Sequence, residues 1–166
     1  CLREDKDHAI KAVLTVHTDT ATGITSDLAA LGRAIQNAKH PALYMVDTVA
    51  ALGTVDFRMD DWGIDVAVGG SQKGLMQPPG LAFNAVSAKA LEACKTAKLP
   101  RLYWDWERRM EEAYYRWFCG TPPEHLLFAL REGLDMVLEE GLDNAFDRHR
   151  RLAEAVRRAV AVWSRA

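Results

Sequence analysis

Val66-Ala67-Val68-Gly69-Gly70-Ser71-Gln72-Lys73 is the stretch on which the reading of this chain turns. An apolar run that breaks into small residues and then lysine reads as a buried strand presenting an amine at its carboxyl end. In open α/β sheets that end is where ligands bind. Upstream, Leu43-Tyr44-Met45-Val46-Asp47 has the same form but finishes on a carboxylate.

Working outward, Ile10 to Val16 is a third β-rich run, ending at His17, and Thr18 to Gly23 is a polar turn. Ser26 is placed to cap a helix with Leu28, Leu31 and Ile35 on one face. Asn37 to Pro41 closes that helix before the strand Leu43 to Val46, a strand–helix–strand unit of the length a parallel crossover needs. Ile64 to Val68 is nearly all apolar, as befits a strand covered on both faces. The short Gln77-Pro78-Pro79-Gly80 return predicts that Leu81 to Val86 pairs antiparallel. Ser87 caps a short helix through Cys94. Pro122 and Pro123 open a long helix with Leu126, Leu130, Leu134, Val137 and Leu138 inward, and Gly141 ends it. A last helix carries Phe146, Leu152, Val156, Val160 and Trp163 on one face. The fold class is therefore α/β: a mostly parallel sheet with one antiparallel strand, followed by two long helices. A sheet this small is expected to continue in sequence outside the chain.

Composition narrows the function. The 166 residues suffice for one core, and 49% hydrophobic with 27% charged residues is ordinary for a globular domain. With 21 basic and 23 acidic residues the net charge is −2, which argues against a general nucleic-acid binder. Arg148 to Arg158 is interleaved with acids and reads as a solvated helix face. No apolar run approaches the roughly 20 residues that span a bilayer. The polar start, beginning at Cys1 and not Met, resembles no signal peptide and points to a fragment. Cys1, Cys94 and Cys119 have neither metal-ligand nor disulfide-framework spacing, so a reducing, cytoplasmic setting is expected.

The chemistry centres on Lys73 and Asp47. A lysine is a poor nucleophile at neutral pH until its surroundings depress its pKa from about 10.4. Gly69, Gly70, Ser71 and Gly74 leave room for a planar group to approach the backbone. An amine and a carboxylate at two strand mouths suit pyridoxal 5'-phosphate: the lysine forms a Schiff base and the acid pairs with the pyridine nitrogen. Lone residues of these kinds also serve as a surface lysine and a loop-capping aspartate. Thr20 and Thr22, in the turn after the first strand, could bond a phenolic oxygen or a phosphate. The Gly69 to Gly74 turn lacks the Gly-x-x-x-x-Gly-Lys-Ser/Thr spacing of a P-loop.

Taken together, His17-Thr18-Asp19-Thr20-Ala21-Thr22-Gly23, Met45-Val46-Asp47-Thr48-Val49-Ala50, Asp61-Trp62-Gly63-Ile64-Asp65, Gly70-Ser71-Gln72-Lys73-Gly74-Leu75, Pro78-Pro79-Gly80-Leu81 and Leu130-Arg131-Glu132-Gly133-Leu134 resemble one family. The chain looks like the central portion of a serine–glyoxylate or alanine–glyoxylate aminotransferase, of class V and fold-type I. Tyr103-Trp104-Asp105-Trp106 and Ala38 to Leu43 resemble the serine–glyoxylate subgroup. The resemblance implies that residues 1–122 belong to the cofactor-binding large domain. Residues 123–166 would form the connecting helix and the start of a small domain. It further implies that Lys73 carries the cofactor and shuttles the substrate proton, while Asp47 contacts the pyridine nitrogen. Val49 would pack on the ring, Thr20 bond near it, and Gln72 contact the phosphate. Thr121 would reach the phosphate of the neighbouring subunit of a homodimer. Amino acids and 2-oxo acids are the implied substrates.

Phe118 stands where some relatives have a phosphate-binding tyrosine, and Thr18-Asp19 where many have Asn-Glu or Gly-Glu. In relatives the phosphate-binding glycine-rich turn and the ring-stacking aromatic precede Cys1, and the carboxylate-clamping arginine follows Ala166. The fragment alone is therefore expected to be inactive. Two alternatives stand beside this reading. One is a cysteine desulfurase-like relative, which would usually have histidine where Gln72 precedes the lysine and would need a reactive cysteine on a mobile loop. The other is a non-catalytic truncated module.

Overall fold

The structure, a computed structural model, describes residues 1–165, the side chain at position 114 excepted. Four strands form one sheet in the order β1 (Ala12–Val16), β2 (Leu43–Asp47), β3 (Val66–Gly70), β4 (Ala82–Val86). The first three are parallel, with Val16 opposite Asp47 and Asp47 opposite Val68. β4 returns antiparallel, with Gly70 opposite Ala82, as the short Pro-Pro-Gly return predicts. The helices are α1 (Leu28–Ala38), α2 (Ala88–Lys95), the single turn α3 (Trp106–Arg109), α4 (Glu124–Glu140) and α5 (Leu142–Trp163).

Polar side chains explain where the strands begin. β1 starts at Ala12 and not Ile10, because the Asp5 carboxylate takes the Ile10 N–H at 2.7 Å and the Ala9 N–H at 3.0 Å. β3 runs two residues later than its apolar pattern suggests. The buried Asp65 carboxylate accepts the Tyr44 N–H at 2.9 Å, filling the place of a strand carbonyl. Asp65 also accepts from Ser87 Oγ at 2.8 Å and Lys89 Nζ at 2.9 Å, which ties β2, β3 and α2 together at the end of the sheet away from Lys73.

Two capping expectations fare differently. Ser87 caps α2 by accepting the Ala90 N–H at 3.1 Å. Ser26 does not cap α1: its own N–H donates to the His17 carbonyl, and Asp27 takes the cap by accepting from Ala30 N at 2.8 Å. Leu28, Tyr44, Val46, Ile64 and Ala67 form the core, with Ile35, Phe57, Met59 and Trp62 packed against it.

The long helices depart most from expectation. α4 ends at Gly141 as predicted, with φ +83°. Its buried residues, however, are Gly133 and Val137, while Leu134 and Leu138 are exposed. α4 approaches the body through Gly133, where a Cβ would lie 2.7 Å from the Leu75 carbonyl oxygen. In α5 only Ala145 is buried and Phe146 half-buried. Leu152, Val156, Val160 and Trp163, the apolar residues of this helix's sequence pattern, are all exposed, Trp163 at 72%. A 22-residue helix is about 33 Å long, and Phe146, His149, Arg150, Ala153 and Arg157 line the groove where it meets the body. The Arg148 to Arg158 face is solvated and internally paired, Arg148 to Glu140, Arg150 and Arg151 to Asp147, and Arg158 to Glu154. Among the described residues no helix is long and apolar enough to cross a membrane.

Candidate functional site

The carboxyl ends of β1, β2 and β3 lie side by side, which puts the turn after His17, the loop after Asp47 and the loop carrying Lys73 on one edge of the sheet. Backbone bonds continue past the strands and hold the edges in line. His17 N donates to the Asp47 carbonyl at 2.9 Å, and Thr48 N donates to the Val68 carbonyl at 2.8 Å. Thr48 Oγ1 donates to the same Val68 oxygen at 2.9 Å, so its side chain is buried while that of Asp47 is exposed at the mouth.

Asp47 Oδ1 accepts the Val49 N–H at 2.8 Å, so the loop-capping bond weighed from sequence does form. Its other oxygen has no protein partner among the described residues and remains available to accept. Lys73 is exposed, and its ammonium makes no ion pair or hydrogen bond among the described residues. Neither group is spent on a structural pair.

Two features missed from sequence hold the Lys73 loop. Ser71 is fully buried: its hydroxyl donates to the Pro78 carbonyl at 2.8 Å and accepts from Leu81 N at 3.3 Å. Its backbone bonds Leu81 O and Gln77 N, which closes the turn back onto β4. Gly74 then packs backbone to backbone on the loop after β2, where a Cβ would sit 2.1 Å from the Leu52 carbonyl oxygen. The cluster of small residues was legible in the sequence; this contact with a distant loop was not.

Val49 and Gln72 are brought together around Gly70. A Cβ on Gly70 would stand 3.4 Å from Val49 Cγ1 and 3.0 Å from Gln72 Oε1, so glycine keeps a shallow cradle open there. Thr20 is exposed in the adjoining turn. Thr22 is not available as proposed: its hydroxyl and N–H both donate to Asp19 Oδ2 at 2.7 Å. That hydroxyl, then the N–H, hold the Asp19 carboxyl below the usual carboxylate range. Thr121 lies beside β4 in a cavity of about 640 Å³ shared with Asn84 and Phe118.

His17, directly after β1, is buried behind this edge. It is 3% exposed, packs on the Phe57 and Trp62 rings at 5.9 and 6.2 Å, and leaves Nδ1 without a partner among the described residues. Burial lowers its pKa against the opposing pull of Asp56, so the neutral ring is favoured.

A family model described as Aminotransferase class-V matches residues 2–162. The chain belongs to the class-V aminotransferase family. It is 52% identical over 163 residues to an L-aspartate–glyoxylate aminotransferase of Paracoccus denitrificans, covering 98% of this chain and 41% of that protein. A serine–glyoxylate aminotransferase of Methylorubrum extorquens is 48% identical over 167 residues, covering 98% of this chain and 42% of the relative. Among solved structures, a ureidoglycine–glyoxylate aminotransferase of Bacillus subtilis superposes with a TM-score of 0.75 at 35% identity, covering 90% of this chain and 39% of that one. The chain thus spans about two fifths of the length of these relatives. The sheet, parallel but for its last pair, is that of the fold-type I aminotransferases.

Among the described residues the donor set fits pyridoxal phosphate: an amine with no side-chain partner, a carboxylate with a free oxygen, the Gln72 amide beside the Gly70 cradle and the exposed Thr20 hydroxyl in the adjoining turn. Among the described residues no cluster suits a metal ion.

Proposed function

We propose that this chain is the central segment of a pyridoxal phosphate-dependent aminotransferase that passes an amino group to glyoxylate, giving glycine. Serine and alanine are the proposed donors, and the Paracoccus relative adds aspartate. The observation that carries the reading is the shared sheet edge, with Asp47 closing β2 and Lys73 on the loop that follows the adjacent parallel β3, neither neutralised by another side chain among the described residues.

When bound, the cofactor supplies an aldehyde that captures amines and a pyridine ring that withdraws electrons. Lys73 would be the amine that anchors it, and the same amine would be the group placed to hold the proton that leaves the donor's α-carbon. Asp47 offers its free oxygen to the pyridine N–H and keeps that proton in place by charge. Val49 packs on one ring face, with Gly70 leaving the space. Thr20 would bond near the ring, and Gln72 would contact the phosphate. Thr121 would serve the phosphate of the partner subunit in a proposed homodimer. Residues 1–122 would belong to the large domain and 123–166 lead toward a small domain. On this reading the segment alone is inactive.

The test uses the full-length protein. Wild type should show a visible absorption band that borohydride fixes covalently onto Lys73, and Lys73→Ala should lose it. Persistence of the same fixable band in Lys73→Ala would remove the central assignment. Absence of amino transfer from serine, alanine or aspartate to glyoxylate would overturn the acceptor while sparing the cofactor.

A further inference from the structure

Between α2 and α4 the backbone forms little regular structure, only the single turn α3 and a 3-10 turn at Tyr114–Arg116. Side chains must therefore hold this segment in place, and Arg109 is the main fastening. Its Nε donates to the Tyr103 carbonyl at 2.7 Å and its Nη1 to the Trp117 carbonyl at 2.6 Å. The guanidinium carbon lies 4.4 Å above the centre of the Tyr103 ring. No carboxylate pairs with Arg109 among the described residues, so its planar fork is given wholly to joining the two ends of an irregular excursion. Trp117 is held a second time, its indole N–H donating to the Glu111 carbonyl at 2.8 Å.

Directly after this anchored residue come Phe118, Cys119 in the left-handed region at φ +53°, Gly120 and Thr121. Arg109, Trp117, Phe118 and Thr121 line one cavity beside β4. Of residues 118–121 only Thr121 carries a strong side-chain hydrogen-bond donor, since Phe118 and Gly120 have none and a thiol donates weakly. We infer that Arg109 is a positioning residue for the Thr121 hydroxyl: by fastening Trp117 to Tyr103 it sets where Thr121 presents its donor to the phosphate of the neighbouring subunit's cofactor. The inference rests on the role proposed above for Thr121.

Phosphate recognition can be read apart from general integrity by comparing pyridoxal phosphate with pyridoxal, which lacks the phosphate. In the full-length protein, Thr121→Val should weaken pyridoxal phosphate binding about 10- to 100-fold and leave pyridoxal binding unchanged. Arg109→Gln should reproduce most of that selective loss. Arg109→Lys, which keeps the charge but not the fork, should not restore it. The double variant Arg109→Gln/Thr121→Val should bind no more weakly than Thr121→Val alone, because both act on one contact. Equal losses for the two ligands in Arg109→Gln, additive losses in the double variant, or full affinity in Arg109→Lys would each overturn the inference while leaving Thr121 in place. An unchanged ratio in Thr121→Val would end both.

Discussion

Gly74→Ala tests how the Lys73 loop is held. Gly74 and Gly53 meet backbone to backbone, and a Cβ on Gly74 would stand 2.1 Å from Leu52 O, 2.7 Å from Thr54 Cγ2 and 3.2 Å from the Gly53 carbonyl carbon. The nearest of these is a backbone atom that cannot swing aside, so the two loops must part by about 1 Å to reach ordinary contact. Overpacking of this kind costs about 1–3 kcal/mol. Gly74 has no positive φ, so alanine also restricts the unfolded chain and gives back about 0.4–1 kcal/mol, leaving a net loss of about 1–2 kcal/mol. Because the loop that moves carries Lys73 and the loop it leaves follows Asp47, activity should fall further than stability. A displacement of about 1 Å at the reacting group can cost about 100-fold. Gly141→Ala is the control: φ is +83° and the nearest atom, Asn144 Nδ2, stands at an ordinary 3.6 Å, so it should cost about 1 kcal/mol of backbone strain without touching turnover per folded molecule. The assay is denaturant unfolding of both full-length variants alongside kcat for transfer to glyoxylate. A Gly74→Ala protein with the wild-type unfolding midpoint and wild-type kcat would refute the reasoning.

Two further outcomes follow from buried polar groups. His17 stays neutral when folded because burial depresses its pKa, whereas in the unfolded chain it protonates below about pH 6.5. As pH falls from there toward the folded pKa the unfolded state binds more protons, so stability falls by up to about 1.4 kcal/mol per pH unit from this group. His17→Gln should flatten the unfolding-versus-pH curve over that window, and an unchanged slope would show that His17 does not titrate there. Ser87→Ala removes both the α2 cap and a hydrogen bond to the buried Asp65 carboxylate, so about 2–3 kcal/mol of stability should be lost in chemical denaturation. A loss below about 0.5 kcal/mol would mean Lys89 and Tyr44 N satisfy Asp65 without Ser87.

Much of the site was readable because it is written locally. Asp47 and Lys73 each end an apolar run, and parallel pairing follows from the intervening α1 crossover, so both reach one edge. Thr22 was misread because a polar turn satisfies itself: Asp19 lies close enough in sequence to claim the hydroxyl. The Ser26 cap failed for a related reason, since two adjacent residues could both cap and a bond from Ser26 N to His17 O decided between them. Ser71 looked like a spacer among glycines, and nothing local marked it as the buried tie between the Lys73 loop and β4.

What the chain's order of residues determined alone is the set of strands and helices, their pairing sense, and the acid and amine at the strand mouths, because these depend on periodicity and loop length. Tertiary structure alone decided which helix faces are covered and how closely the two site loops meet. Leu152, Val156, Val160 and Trp163 have the spacing of a buried stripe, yet spacing defines only a face. Whether that face is covered depends on distant surfaces within reach, and none among the described residues covers this one, whereas Gly53 and Gly74 lie where two distant loops touch.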